Sequence, residues 1–580
     1  MRRFIHGTRN SSSIHYIFIV IILLTVLHLR LDDVGSWPVR WDEAFSVWFG
    51  QMDLSVSTER TANDIHPPLY FWLFHVWIRL TGISEFAIRS FSVFFGLIAT
   101  AVTYALTLRL SRQRLAASVA LILITLSPFH ITWSQDARMY ALATMSVGLT
   151  AYTYLRGWTR SMTLGGIAAA LSHYFGAFVI VIIVLHRLIY WRDSRHDRRQ
   201  FVIATLVIAL VCLLWAIYAF GLIRRDSGHA SFDPQHTFQL MATLYTVSKS
   251  ADLHSYVAVV LLILLVFVSG LFLSWIDNRR ATSLVVLGCI MPPVILSVLS
   301  LPVIPFYVTG LAARHFIVFA PFVFAGYGMG LSAMIRRRRI RAAGILLLAG
   351  LVILNGVLVA EKRDTRYFKD DYRSMMAAVA ALTDSDDKIY FTSGGRKPAV
   401  YYHLDRVGYD VPKNRYAEPV NVTGIPRSSE DVDAMMNRVF AGVSRFWLIE
   451  VESHLDAPLD ARTNWLNEHY YRIYHIPVGW NGISLYSTDE NDAIPDVNTV
   501  IAPVITEARP GDQVRIGAPA GARVDLIHSG QIVDSRFAET WMLHQFDIYS
   551  YYFNGLYVLQ VADKSFPFEI THSQDFPGGK

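Results

Sequence analysis

Two adjacent carboxylates, Asp42 and Glu43, stand in the sequence WDEAF just past the first apolar run of the chain. Charge is costly beside a bilayer, so an acidic pair kept there needs a reason. A carboxylate ionised at neutral pH can act as a general base. The alternative is a pair that caps the helix AFSVWFG, since carboxylates suit a helix N-terminus. A third carboxylate, Asp136, lies in SPFHITWSQDARMY, with Arg138 two residues on. Two carboxylates from distant sequence that meet above a bundle make an acid/base or metal site. Further cations or imidazoles stand at Arg314 and His315, after TGLAA, and at His66, ahead of Pro67 and Pro68. His173 and Tyr174 occupy LSHYFG. An arginine at the outer mouth of a span is either a snorkelling anchor or a phosphate ligand, for which guanidinium geometry is well matched. His66 caps a helix or serves a site, and His173 is either a buried hydrogen-bonded group or a site residue. No ligand spacing calls for a metal, and no cofactor is certain; a divalent cation could sit only between Asp42 and Asp136.

The elements that position these residues are membrane spans. The chain has 580 residues, 53% of them hydrophobic, with a mean hydropathy of +0.34. Uncharged runs such as Ile17–Leu27, Phe201–Ala216 and Val257–Phe272 repeat along the first 360 residues, so the protein is polytopic. Residues 1–360 carry 30 Lys and Arg against 15 Asp and Glu, whereas residues 361–580 carry 22 against 31. The positive charge lies in short loops between spans, as the positive-inside rule expects, and this excludes nucleic acid as a partner. The two cysteines, Cys212 and Cys289, both fall in apolar runs and form no disulfide framework.

Arg2, Arg3 and Arg9 precede the run 14–31, which no small-residue cleavage site follows. It is therefore expected to be an uncleaved first span with a cytoplasmic N-terminus. Basic clusters then set eleven crossings at 14–31, 86–108, 115–131, 138–155, 161–173, 175–191, 201–222, 254–275, 281–301, 313–335 and 340–360. The interval 161–191 holds a tight hairpin of two short helices that turns near Ser172-His173-Tyr174. An odd count puts the tail outside, with the loops 32–85, 132–137, 223–253 and 302–312 on the same face. The aromatic segment 66–80 is expected to lie at the outer surface as a helix, anchored by Phe71, Trp72, Phe74 and Trp77.

The expected domains are a membrane domain over 1–360, an α/β unit over 361–490 and a small β-sandwich over 491–580. The middle part alternates helices (371–383, 397–404, 460–469) with strands such as KIYFT, RFWLIEVE, YRIYHI and GISLYS. From about 494 short strands with Gly and Pro turns follow, among them TVIAPVI, DQVRIGAP, ARVDLIHSG and LYVLQVA. Asn421-Val422-Thr423 would be a glycosylation acceptor in a secretory pathway.

The order WDEAF, HPPLYFWLFHVWIRLTGISEFAIRSFSVFFG, SPFHITWSQDARMYAL, LSHYFGAF and AARHFIVFAPFVF resembles the C-type-fold membrane glycosyltransferases. It is similar in particular to bacterial relatives of protein O-mannosyltransferases and of the aminoarabinose transferase that modifies lipid A. The resemblance covers roughly residues 14–360 and is best in the first 175. It implies an inverting, hexosyltransferase-like enzyme of the plasma membrane that uses a polyprenyl-phosphate sugar outside the cytoplasm. The acceptor would be a hydroxyl on a protein, lipid or glycan. It puts the catalytic carboxylate on Asp42, with Glu43 as its neighbour, and the second carboxylate on Asp136. His66 stands where the family often has a lysine near the donor phosphate, and Arg314 falls on the arginine that opens a late span. Arg138 is a further phosphate donor candidate, and His173, Tyr174 and His315 are other site candidates. Two other readings fit a polytopic chain: a transporter or flippase of a sugar-linked lipid, and a non-catalytic surface glycan-binding protein. A transporter would show mid-span ionisable residues and a repeat of two halves, and the sequence shows neither.

Overall fold

The computed structural model describes residues 2–63, 66–192, 197–220, 239, 241–243, 245–247, 253–299, 313–360, 371–383, 387–391, 397–406, 429–451, 459–479, 481–494, 497–503, 507–508, 512–537, 539–549 and 552–570. Loop 302–312, most of 223–253 and Asn421-Val422-Thr423 lie outside them. The chain divides into two compact units. One comprises Met1–Gly35, Phe49–Arg225 and His229–Arg363; the other comprises Ser36–Trp48, Asp226–Gly228 and Asp364–Lys580.

The first unit is helical. Its elements begin with α1 (Arg2–Leu31), the C-terminal end of α2 (Trp41–Gln51), α3 (Leu54–Asn63) and α4 (Leu69–Thr81). They continue with α5 (Glu85–Ser111), α6 (Arg114–Thr125), α7 (Pro128–Gln135), α8 (Tyr140–Arg156) and α9 (Thr159–Ser172). After a 3-10 turn at Tyr174–Ala177 come α10 (Phe178–Ile189), α11 (Arg198–Phe220), α12 (Leu253–Asp277) and α13 (Arg279–Leu299). A second 3-10 segment, Ala313–Phe319, leads into α14 (Ala320–Arg336), and α15 (Arg341–Ala360) closes the unit. Within the described residues each apolar segment expected from the sequence is helical. Among the described residues seven helices are long and apolar enough to cross a membrane, eight if one bent pair is counted as a single span. The protein is a multi-span membrane protein. The expected hairpin turns where predicted: α9 ends at Ser172, and His173 caps it in extended conformation.

One expected span is broken. Residues 115–131 form not a single helix but α6 and α7, bent by 59°. The cause is local. Proline disfavours the α conformation in the residue before it, and Ser127 is extended. The Ser127 side chain then accepts from His130 N–H at 3.3 Å, and Pro128 starts the new helix with its φ already set.

The segment 66–80 forms α4, which docks on α5 through an aromatic layer. Tyr70 packs on Phe74 and Phe91, and Trp77 Nε1 donates to Ala87 O at 2.8 Å. Leu73, Val76 and Leu80 occupy the opposite, exposed face. At the centre of the bundle α14 is buried from Ala320 to Met334. It owes its seat to small residues: a Cβ on Gly330 would come within 2.9 Å of the Gly270 backbone, and one on Gly328 within 2.3 Å of Ala116 O. Without a hydrophobic drive between helices, such close backbone approach is what holds membrane bundles together.

The second unit is mixed. It contains α16 (Tyr372–Leu382), β1 (Ile389–Phe391), α17 (Lys397–Arg406), α18 (Ser429–Val439), β2 (Arg445–Glu450), α19 (Leu459–His469), β3 (Tyr471–Val478) and β4 (Asn481–Ser487). The strands form a sheet of order β1-β2-β4-β3, with β1 parallel to β2 and the other pairs antiparallel. Phe446, Leu448 and Tyr486 on one face pack with Val432, Met436 and Trp465 of the helices. The short strand β5 (Glu507–Ala508) is followed by β6 (Gln513–Ala518), β7 (Arg523–His528), β8 (Gln531–Phe537), β9 (Met542–Asp547), β10 (Gly555–Val561) and β11 (Lys564–Ile570). They make a five-stranded sheet, β5-β11-β10-β7-β8, facing a β6-β9 pair across a shared apolar core. Arg515 on β6 and Asp371, the N-cap of α16, form a buried ion pair at 3.1 Å that Gln513 and Gln545 complete.

Candidate active site

Asp42 and Glu43 are both buried, at 4% and 0% exposure, in the first turn of α2. Their roles in that turn differ. Glu43 Oε2 accepts from the backbone N–H of Arg40 at 3.1 Å, while the Arg40 carbonyl accepts from Ala44 N–H. This is the carboxylate half of a capping box, which satisfies an orphan donor at the helix start. Asp42, one residue earlier, accepts from Ser46 Oγ through its own carbonyl at 3.3 Å. Glu43 thus shapes the turn that carries Asp42. Arg40 itself is buried beside them, a cation that sequence reasoning missed although it directly precedes WDE.

The remaining candidates lie in the helical unit, and most of them converge. Arg138 Nη2 donates to His66 Nε2 at 3.0 Å. A guanidinium has no acceptor, so His66 meets it with an unprotonated Nε2 and orients the arginine. The edge of the His66 ring stands against Phe71 of α4, and its backbone N–H donates to Thr61 O. The Arg138 backbone is fixed as well: its N–H donates to Asp136 O at 2.7 Å, and its carbonyl accepts from Ser92 Oγ. Asp136 caps the C-terminus of α7 in extended conformation and is 4% exposed.

His173 lies at the centre of this group. Its Nδ1 accepts from Phe175 N–H at 3.1 Å, and its ring packs on Tyr140 and on His315. His315, His66, Arg138 and Arg314 all act on it electrostatically. Thr144 Oγ1 donates to Ile317 O, which ties α8 to the 3-10 segment that carries Arg314 and His315. Two guanidinium groups and three imidazoles thus come together from well-separated stretches of sequence. Tyr174 turns elsewhere, accepting from Trp215 Nε1 on α11 at 3.2 Å.

The break between α6 and α7 aims this cluster, and Arg30 holds the break. Arg30 is fully buried; it donates to the last carbonyls of α6, Ile124 O and Thr125 O, and to His130 Nδ1 on α7. A cation at a helix C-terminus is favourable to the helix dipole, and the carbonyls satisfy a charge that would otherwise be costly in the bundle. Gly96 of α5 lets α7 approach: a Cβ there would meet Ser134 Oγ at 2.5 Å.

Among the described residues no group of three or more His, Cys, Asp and Glu is arranged to hold a metal ion.

Comparison with known proteins places this architecture. ArnT from Cupriavidus metallidurans in the apo state superimposes with a TM-score of 0.50 at 11% identity, covering 83% of this chain and 99% of that one. The same protein bound to undecaprenyl phosphate gives 0.51 at 11% identity, covering 80% and 97%. The archaeal oligosaccharyltransferase AglB from Archaeoglobus fulgidus, in complex with an inhibitory peptide and a dolichol-phosphate, gives 0.48 at 12% identity, covering 83% and 75%. No curated protein matches the chain in sequence. The chain has the fold of the C-type membrane glycosyltransferases. Within it, residues 65–218 match the family described as dolichyl-phosphate-mannose-protein mannosyltransferase. That stretch carries His66, Asp136, Arg138 and His173.

Proposed function

We propose that the protein transfers a sugar from a polyprenyl-phosphate-linked donor to a hydroxyl acceptor, with inversion, at the extracytoplasmic face of the plasma membrane. The observation that carries this reading is the cluster of Arg138, Arg314, His66, His173 and His315 in a C-type fold. Fixed positive charge of this kind suits a departing lipid phosphate. Asp42 is the base. Its carboxylate takes the proton of the acceptor hydroxyl as that oxygen attacks the anomeric carbon. The bond from that carbon to the phosphate oxygen breaks in the same displacement, and the electron pair leaves on the phosphate. Arg138 and Arg314 receive that charge, and His66 keeps Arg138 pointed at it. Asp136 sets the Arg138 backbone. Glu43 holds the turn on which Asp42 sits.

The basic loops support a cytoplasmic N-terminus and an extracytoplasmic C-terminal unit. The division of that unit into an α/β domain over 361–490 and a β-sandwich over 491–580 belongs to the same proposal.

The test uses the full-length protein in membranes with a panel of labelled polyprenyl-phosphate sugars. One label moves to an acceptor, and Asp42→Asn reduces that transfer by about 10²–10⁴-fold while binding of undecaprenyl phosphate persists. Normal transfer by Asp42→Asn overturns the assignment of the base. Passage of the sugar lipid across liposomes with no transfer product overturns the enzyme reading.

A further inference from the structure

The segment Ser36–Trp48 leaves the first apolar helix, yet it packs within the same compact unit as the C-terminal chain. Two side chains of that chain meet it, and a third backs one of them. His403 of α17, 1% exposed, places Nε2 2.8 Å from Val39 O, across 364 residues of sequence. The ring of Tyr372, fully buried at the start of α16, lies parallel to the His403 ring at 6.3 Å between centroids. Arg373 Nη1 approaches Ser36 O at 3.4 Å.

The Val39 carbonyl and the Arg40 N–H belong to one planar peptide group. His403 donates to its oxygen, and Glu43 accepts from its nitrogen. The plane is therefore held from both ends, so it cannot rotate without breaking a buried hydrogen bond. It is also the peptide from which α2 starts, and Asp42 is the second residue of that helix. A rotation here would tilt the first turn and swing the Asp42 carboxylate. Val39 is itself fully buried, so water does not replace a lost donor cheaply.

We propose that His403 is a positioning residue for Asp42, through which the C-terminal unit sets the geometry of the base. This rests on the reading of Asp42 as the base. The unit is then a working part of the transferase, and any ligand that shifts α17 acts on the chemical step.

The experiment uses the full-length chain with the active donor from the panel, and undecaprenyl phosphate as the binding probe. His403→Ala removes the donor to Val39. His403→Gln restores an N–H at nearly the Nε2 position. His403→Ala is expected to lower kcat about 10- to 100-fold, with donor KM and undecaprenyl phosphate affinity changed less than about twofold. His403→Gln should recover most of the loss. Hydrogen exchange over residues 38–50 should quicken in His403→Ala, return toward the parent rate in His403→Gln and stay unchanged in Asp42→Asn. If His403→Ala fails to accumulate, Tyr372→Leu, which frees the imidazole from its stacked partner, carries the same expectations at smaller amplitude. Unchanged kcat and exchange in His403→Ala, beside an inactive Asp42→Asn, overturns the positioning role alone. Parallel loss of kcat and lipid binding without rescue by His403→Gln reduces the residue to a structural tie. An active Asp42→Asn overturns the underlying assignment of the base, whatever His403 does.

Discussion

His66 shows how a residue type that departs from expectation acquires a different task. A lysine at its position would add a charge, whereas the imidazole accepts a hydrogen bond and directs the charge of Arg138. The two residues should then act as a unit, because mutations in contacting groups are not additive. Arg138→Ala is expected to weaken undecaprenyl phosphate binding about tenfold or more, and His66→Ala somewhat less. Adding His66→Ala to Arg138→Ala should cost little further; titration of the lipid into the four proteins of the cycle checks this. The adjacent acids Asp42 and Glu43 are conspicuous in the sequence, but their division of labour is not. The usual signature of a capping box begins with Ser or Thr, and here the capped residue is Arg40. Arg30 is equally opaque: its partners are backbone carbonyls of α6, which no side-chain pattern discloses.

At the scale of elements, long apolar runs disclose themselves and short or polar ones do not. The spans and the hairpin at His173 follow from apolar length and basic flanks. Helix α3 is hidden because its buried face is Ser57, Thr61 and Ala62, small residues with no apolar period. Helix α18 lies where no element is expected, although Val432, Met435, Met436 and Val439 stand at the helical spacing that discloses it. Strand β8 is an edge strand with most side chains exposed, so it lacks the alternation that marks a half-buried strand. The broken helix is signalled by Ser127-Pro128, but its direction depends on the contact of α5 with α7. Gly96→Val should push α7 aside and carry Asp136 and Arg138 with it. A displacement of about 1 Å is enough to cost 10²-fold in rate. Gly350→Ala, where nothing lies within 4 Å of the added carbon, is the control. Transfer rates of the two variants at equal folded amounts check the expectation.

At the scale of the whole molecule, the second unit has its own response to pH. His475 Nδ1 bonds Ser484 Oγ at 2.9 Å, and Ser484 donates to Glu450 at 3.0 Å. Burial holds the His475 imidazole below its ordinary value; Glu450 opposes this and Arg472 adds to it. Burial, helped by Arg536, lowers His544 as well. Both groups are therefore neutral in the folded unit at pH values where the unfolded chain already binds protons. Their contribution is fully present above the unfolded imidazole pKa, about 6.5, and is lost as pH falls below it toward the folded values. Thermal melts of the full-length protein should show the transition of this unit moving down between about pH 7 and pH 5. His475→Gln with His544→Gln should flatten that slope.

The buried helix α14 bears on how the chain enters the bilayer. It is the least apolar of the seven long spans, and its glycine-lined surface is shaped for protein instead of acyl chains. Its seat is made by α5, α6, α12 and α13, which precede it in the chain, and by α15, which follows it. During synthesis four of those neighbours are made before α14, and α15 comes after it to cover the remaining side. A ribosome that stops before residue 320 therefore leaves membrane-inserted helices with exposed small-residue faces, the kind of surface that membrane quality control would meet first.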